Sequence, residues 1–348
     1  MSPTRSCAPR FLLVLAALLW SAGCGGGDGA GTTPSSTPTS TTAVDGGVTV
    51  LSDVRYADDG DGRLPALLDV YTPDDAAGLP VVVLLHGGGL DKNTQQYTEI
   101  ARQLAARGVV VVAPNWGPAG GLPSTTDTVA AANADNDLVA CAVSYVVANG
   151  EQWGADPTRI VLFGHSAGAN AASVVMFSYT RATGAGCAVS PQQWQPQAVV
   201  LWDGELGLLD EGLWSNYADV LPELFRTITP WSQIAPAIYG GPVHLLVTAS
   251  FRNVATNCNV LAGWADARDP SGAYRAALTD VGAADDQCVD IGEVHQALTD
   301  VLVAAGLPAD YAELSAAGST HTELADADLT RLVDLLATWA AGTVSHLE

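Results

Sequence analysis

Five short runs of residues, each apolar at nearly every position, constrain the fold of this chain more than any other feature. They are Val81–Leu85, Val109–Pro114, Arg159–Gly164, Ala198–Trp202 and Val243–Thr248. A strand with one face in water alternates apolar and polar side chains, so runs without alternation indicate strands buried on both faces. Segments of helical periodicity lie between them. This alternation predicts an α/β fold with a mostly parallel, doubly wound sheet flanked by helices.

Further elements extend this pattern at both ends. Val48–Val54 and Ala66–Tyr71 predict an antiparallel hairpin, joined through an Asp/Gly-rich turn. Two C-terminal helices and a last strand are predicted over about Val294–Ala305, Leu324–Ala340 and Tyr311–Leu314. The pattern therefore predicts one domain over residues 47–345.

The N-terminus has the composition of an export signal. Arg5 and Arg10 precede the apolar run Phe11–Trp20, which is too short to span a bilayer but suits a secretory signal peptide. The next residues, Ser21–Cys24, resemble the cleavage box of bacterial lipoproteins, in which the cysteine becomes the lipidated first residue. We therefore expect a signal peptide over residues 1–23 and lipid attachment at Cys24, with an ordinary cleavage site as the alternative.

The segment after the signal predicts a flexible tether over residues 24–46. Gly25–Gly46 consists almost entirely of Gly, Ser, Thr, Pro and Ala, which cannot bury enough apolar surface to order the chain. We expect the protein to be exported, either anchored by lipid to the outer face of a membrane or secreted.

The charge balance excludes some partners. The chain has 14 Lys and Arg residues against 37 Asp and Glu residues, a formal net charge of -23. Binding to nucleic acid or to an anionic membrane surface needs clustered cations, so neither is expected. Membrane contact is predicted only through the N-terminal lipid.

Four cysteines remain in the predicted exported domain. An even number in an oxidising compartment favours two disulfides, and four cysteines allow three pairings. We predict the nearest-neighbour pairs Cys141–Cys187 and Cys258–Cys288. Neither a C-x-x-C pair nor an H-E-x-x-H motif occurs, so no metal is predicted.

The strand ending at Phe163 continues into Gly164-His165-Ser166-Ala167-Gly168 and then an alanine-rich segment. A sharp turn from strand to helix needs small flanking residues, because a Cβ there would collide with neighbouring backbone. Such a turn exposes a serine hydroxyl at a helix N-terminus. Ser166 is therefore predicted to be a nucleophile.

A second glycine-rich segment, His86-Gly87-Gly88-Gly89, follows another buried strand about 80 residues earlier. Backbone N–H groups in such a loop converge on one point and stabilise the negative oxygen of a tetrahedral intermediate. We predict an oxyanion hole formed by Gly88, Gly89 and Ala167.

These segments together resemble the α/β-hydrolase esterases of the acetyl-esterase, feruloyl-esterase and hormone-sensitive-lipase type. Further matching stretches are Leu68–Pro73, Pro80–Gly89, Ala106–Asn115 and Gly154–Arg159. The resemblance covers nearly all of residues 47–345. It implies an α/β-hydrolase fold and a Ser–His–acid triad, with acyl transfer from an ester to water and without a cofactor.

The resemblance also implies the base, whereas the acid is less clear. His321 follows the last predicted strand, where the family places its base. The family usually places an Asp a few residues after the strand Val243–Thr248, and this chain has none there. Asp286, returned to the strand tip by a Cys258–Cys288 bridge, is the favoured acid. Asp203, after Trp202, is the alternative, and Asp266, Asp269 and Asp285 are weaker candidates.

The sequence thus predicts a serine carboxylic-ester hydrolase, acting on short-chain or carbohydrate-linked acyl esters. A lipase, a phospholipid acetylhydrolase or a peptidase on the same fold is an alternative. A non-catalytic surface-binding protein is an alternative of another class. Gly204–Gly241 is expected either to pack as a helical insertion or to cover the pocket. The sequence does not decide the natural ester or the oligomeric state.

Overall fold

A computed structural model describes residues 40–60, 63–117, 128–177, 186–190, 192–204, 239–250, 256–258 and 288–342. Among these residues, we find no helix long and apolar enough to cross a bilayer.

A nine-stranded sheet forms the centre of the domain. Its strands, in spatial order, are β1 (Thr41–Asp45), β2 (Val48–Arg55), β3 (Leu67–Pro73), β5 (Val110–Pro114), β4 (Leu79–Leu85), β6 (Ala155–His165), β7 (Ala198–Trp202), β8 (Val243–Thr248) and β11 (Ala309–Leu314). Pairing is antiparallel from β1 to β5 and parallel from β5 to β11. A separate two-stranded sheet pairs β9 (Thr256–Cys258) with β10 (Cys288–Asp290).

Five described helices accompany the sheet: α1 (Gln95–Ala105), α2 (Thr128–Asn149), α3 (Ala167–Phe177), α4 (Ile291–Ala304) and α5 (Asp326–Ala340). A short 3₁₀ helix, Gly150–Trp153, follows α2.

Both faces of the sheet are buried, as the unbroken apolar runs predict. In β4, Val81 and Val83 pack into an apolar cluster that also contains residues of α2, α3 and α4. Val82 and Leu84 of the same strand pack into the opposite cluster, with residues of α1 and α5. Successive side chains of a strand point to opposite faces, so a strand covered on both sides must be apolar throughout. The doubly wound α/β architecture is confirmed.

The sheet begins earlier than the predicted domain boundary at residue 47. The strand β1 pairs with β2 across a turn at Gly46 and Gly47, both with positive φ, a conformation that glycine adopts without steric penalty. The last residues of the predicted tether therefore join the sheet, because pairing with an edge strand compensates for their low hydrophobicity. The predicted signal peptide, Cys24 and the rest of the tether lie outside the described residues.

The predicted disulfide between Cys141 and Cys187 is confirmed, with a Cα–Cα distance of 5.3 Å. It joins α2 to the segment that pairs with Ala57. In the small sheet, Cys258 lies directly opposite Cys288, and the disulfide between them stays a prediction. Nearly all of the predicted insertion over Gly204–Gly241 lies outside the described residues.

Candidate active site

The first element of the site is the turn between β6 and α3. Ser166 lies in this turn with φ of 53°, a strained value for a residue with a side chain. A Cβ on Gly164 would lie 2.2 Å from the carbonyl oxygen of Gly168, and one on Gly168 would lie 2.4 Å from that of Leu85. Only glycine fits at either position. The turn thus has the sharp geometry that the G-x-S-x-G segment predicts.

A continuous chain of contacts joins Ser166 to a histidine and a carboxylate. The Nε2 atom of His321 lies 3.0 Å from Ser166 Oγ, and its Nδ1 atom lies 3.1 Å from Asp203 Oδ2. The Asp203 side chain is fully buried, whereas 32% of the His321 side chain is exposed. The His321 side chain is therefore partly open to solvent, whereas the carboxylate of Asp203 is shielded from it.

Among the described residues, the carboxylate in contact with His321 belongs to Asp203, the alternative acid of the sequence analysis. Strand β7 lies between β6 and β8, so the residue after its tip lies beside the serine turn. Asp203 is that residue, and its φ is 48°. Asp286 lies outside the described residues, as do Asp266, Asp269 and Asp285. The signal for Asp203 in the sequence was its place directly after a buried strand.

Thr248, which sequence reasoning did not single out, holds the buried carboxylate. Its backbone N–H donates to Asp203 Oδ1 and its hydroxyl donates to Asp203 Oδ2, both at 2.6 Å. Thr248 is the last residue of β8, the strand after which the acid was expected. Hydrogen bonds from fixed donors stabilise the ionised form of a buried carboxylate.

The predicted oxyanion loop follows β4 and contacts the serine turn. A Cβ on Gly88 would lie 3.3 Å from Ala167 Cβ, so the two backbones are close. Within the described residues, the N–H of Gly87 donates to Tyr97 Oη, whereas those of Gly88 and Gly89 donate to no protein acceptor. Ala167 is the first residue of α3, where helical N–H groups have no acceptor within the helix. The structure therefore brings Gly88 close to Ala167, and the oxyanion hole formed by Gly88, Gly89 and Ala167 stays a prediction.

Two histidines behind the turn are uncharged. Burial lowers the pKa of His86 to about 4. The pKa of His165 lies well below its ordinary value because of burial and, second, because of the charge of His321. The rings of His165 and His321 have centroids 4.8 Å apart. Because His165 is neutral, no second positive charge lies beside His321 when His321 takes up a proton.

One described group, His165, Asp203 and His321, could bring three ligand atoms within 4.8 Å of one another. Both ring nitrogens of His321 already contact Asp203 and Ser166. A cation bound there would displace at least one of these contacts, so the residues fit a triad better than a metal centre. That no metal and no organic cofactor is required stays a prediction.

Comparison with known proteins agrees with this geometry. Residues 66–189 match the family model described as "Carboxylesterase family". A search of curated protein sequences finds no match.

Solved esterase structures have the same fold. Esterase B from Lactobacillus rhamnosis is 17% identical, with a TM-score of 0.57 over 87% of this chain and 88% of that chain. A structure of the same esterase inhibited by a tributyrin phosphonate is 16% identical, with a TM-score of 0.57 over 86% and 88%. A truncated carbohydrate esterase from gut microbiota is 15% identical, with a TM-score of 0.55 over 84% and 96%.

The strand order, the serine turn after the central strand β6 and these structural neighbours define an α/β-hydrolase fold. Together with the carboxylesterase match, they support a serine esterase, a carboxylic ester hydrolase.

Proposed function

We propose that this protein hydrolyses carboxylic esters with Ser166 as nucleophile, His321 as general base and acid, and Asp203 as the orienting carboxylate. The unbroken chain from Ser166 Oγ through His321 to Asp203, with distances of 3.0 and 3.1 Å, carries this proposal. Each group lies after a different parallel strand, and the carboxyl ends of such strands open the ligand crevice of a doubly wound sheet.

In the first half of the reaction, Ser166 Oγ attacks the ester carbonyl carbon while His321 Nε2 takes the hydroxyl proton. The carbonyl oxygen becomes an oxyanion, which the N–H groups of Gly88, Gly89 and Ala167 stabilise. The imidazolium then gives its proton to the leaving alkoxide as the ester C–O bond breaks. The alcohol leaves, and the acyl group remains on Ser166.

In the second half, water attacks the acyl carbonyl and His321 again takes the proton. Collapse of this tetrahedral intermediate breaks the bond to Ser166 Oγ, and His321 returns the proton to the serine. The Asp203 carboxylate orients the His321 ring and stabilises the imidazolium in both halves. The products are a carboxylic acid and the free enzyme.

We propose short-chain or carbohydrate-linked acyl esters as the substrates. Two structural neighbours are named for such chemistry, an esterase inhibited by a tributyrin phosphonate and a carbohydrate esterase. These names support both short-chain esters and carbohydrate-linked esters as substrates. A panel of acetyl and butyryl esters, acetylated sugars, long-chain esters and peptides tests it, and faster cleavage of long-chain esters or peptides would refute it.

The Ser166→Ala variant tests the activity itself. We expect it to lower kcat on a short p-nitrophenyl ester by about 10³-fold or more while the fold persists. The control is Ser173→Ala on the same helix, because the Ser173 hydroxyl donates to the Asn170 carbonyl within α3, away from the triad. An organophosphate should label the wild-type protein at Ser166. Failure of the wild type to hydrolyse any ester or react with the organophosphate would indicate a non-catalytic binding protein.

We also propose that the protein is exported and carries a lipid on Cys24. The apolar run Phe11–Trp20 and the following Ser21–Cys24 support this. The protein should partition with membranes, and Cys24→Ser should either release it or leave the precursor uncleaved. A soluble wild-type protein whose mature form begins at another residue would contradict lipid attachment.

A further inference from the structure

Tyr97 lies in α1, away from the three reacting groups, yet its hydroxyl joins two catalytic loops. The N–H of Gly87, at the start of the oxyanion loop, donates to Tyr97 Oη at 2.8 Å. The same oxygen lies 2.6 Å from Nδ1 of His165, the residue before Ser166. Tyr97 is completely buried, so water does not compete for these contacts.

The directions of these hydrogen bonds follow from the donors available. Gly87 N–H can only donate, so Tyr97 Oη accepts from it and has its own hydrogen free for His165 Nδ1. Burial raises the pKa of Tyr97 and lowers that of His165, so the pair is a neutral phenol and a neutral imidazole. When the Tyr97 hydroxyl donates to Nδ1, the ring proton of His165 is on Nε2.

The same contacts determine how closely the oxyanion loop approaches the nucleophile. A Cβ added to Gly87 would lie 3.2 Å from Tyr97 Oη, 3.2 Å from His165 Nδ1 and 3.3 Å from Ser166 Cβ. The Gly87 peptide is thus pressed against the serine turn, with its N–H engaged by Tyr97. The next N–H groups of the loop, those of Gly88 and Gly89, donate to no acceptor among the described residues.

We propose that Tyr97 is a positioning residue that holds the oxyanion loop against the nucleophile turn through its hydroxyl. This inference rests on the proposed esterase function and adds a residue to it. Without the hydroxyl, the Gly87 N–H and His165 Nδ1 lose their shared partner, and the two loops are no longer joined. Misplacement of a catalytic group by about 1 Å can cost on the order of a hundredfold in rate.

The test is Tyr97→Phe, which removes the hydroxyl and keeps the ring packed among its apolar neighbours. We expect kcat on a short-chain ester to fall about ten- to a hundredfold, with KM within about threefold of wild type. Affinity for a trifluoromethyl ketone, which forms an oxyanion on Ser166, should fall by the same factor as kcat/KM. A purely structural role would not link these two quantities.

The matched control is Tyr239→Phe. This buried tyrosine donates to the carbonyl of Pro242, which precedes the amino end of β8, whereas the site lies at the carboxyl ends of the strands. Its kcat should stay within about twofold of wild type. A Tyr97→Phe enzyme that is as active as this control would overturn the proposal and leave the esterase function standing.

A spectroscopic measurement tests the same contact independently of activity. In a ¹⁵N-labelled wild-type protein, the His165 ring should stay neutral at neutral pH with its proton on Nε2. The His165→Asn variant assigns its signal. Tyr97→Phe should abolish this single tautomer. A ring proton on Nδ1 of wild-type His165 would refute the hydrogen bond from the Tyr97 hydroxyl to His165. This measurement does not depend on whether the protein has esterase activity.

Discussion

Replacing Asp203 by Asn tests the acid assignment because the change keeps the side-chain volume and replaces a single carboxylate oxygen, Oδ2, which contacts His321 and the Thr248 hydroxyl. In the wild-type protein, the Thr248 N–H donates to Asp203 Oδ1 at 2.6 Å. In the variant, the amide oxygen of Asn can accept the same hydrogen bond. The amide nitrogen then takes the place of Oδ2, 3.1 Å from His321 Nδ1. An amide nitrogen only donates, so His321 must accept at Nδ1 and carry its proton on Nε2. That tautomer cannot take the proton of Ser166.

The size of the effect follows from the charge that is lost. A carboxylate 3.1 Å from an imidazolium contributes about 5 kcal/mol at the effective dielectric constant of about 20 that suits protein sites. That contribution corresponds to roughly 10³- to 10⁴-fold in rate, at about 1.4 kcal/mol for each factor of ten. The measured cost of the same change in a serine protease triad is about 10⁴-fold in kcat.

The assay is steady-state hydrolysis of a short p-nitrophenyl ester. We expect kcat to fall about 10³- to 10⁴-fold with KM nearly unchanged, because Asp203 does not touch the substrate. Circular dichroism should match wild type, which shows that the fold is kept. The comparison variant is Asp286→Asn, expected to retain wild-type activity. A severe loss in Asp286→Asn together with a nearly active Asp203→Asn would refute the assignment.

Three further predictions concern neighbouring groups. Thr248→Val removes the hydroxyl that donates to Asp203 Oδ2 at 2.6 Å, so kcat should fall about tenfold, and Thr248→Ser should restore most of it. Lys92→Met removes the ammonium group that lies 2.7 Å from the buried carboxylate of Asp69 and leaves that charge without its cation. Urea titration should show that the unfolding free energy falls by about 3 kcal/mol. Adding Asp69→Asn should recover part of this loss. Burial lowers the pKa of His86 from 6.5 to about 4, so the unfolded chain takes up this proton first. His86 should therefore contribute a fall of about 2 kcal/mol in the unfolding free energy between pH 7 and 4.5, measured by urea titration at pH 7, 5.5 and 4.5. His86→Gln should remove this part of the pH dependence.

The buried strands and the serine turn could be predicted from the sequence because each depends on residues that are close together in the chain. A strand buried on both faces must be apolar at every position, so Val81–Leu85 and its counterparts could be recognised without a structure. The turn around Ser166 needs glycine on both sides because a Cβ at either position would collide with backbone. Five consecutive residues are therefore enough to recognise this turn. The pairing of Cys141 with Cys187 was also predicted correctly.

Only the tertiary structure shows which described carboxylate lies beside His321. Several aspartates in the chain follow a plausible strand or bridge, and sequence distance does not measure how far each lies from His321. Asp203 reaches His321, 118 residues away in the chain, because β7 lies between β6 and β8 in the sheet. Its carboxylate is stabilised by Thr248 at the tip of the neighbouring strand. Such a contact depends on strand order and on the donors that surround a buried charge, and both arise only when distant segments pack together.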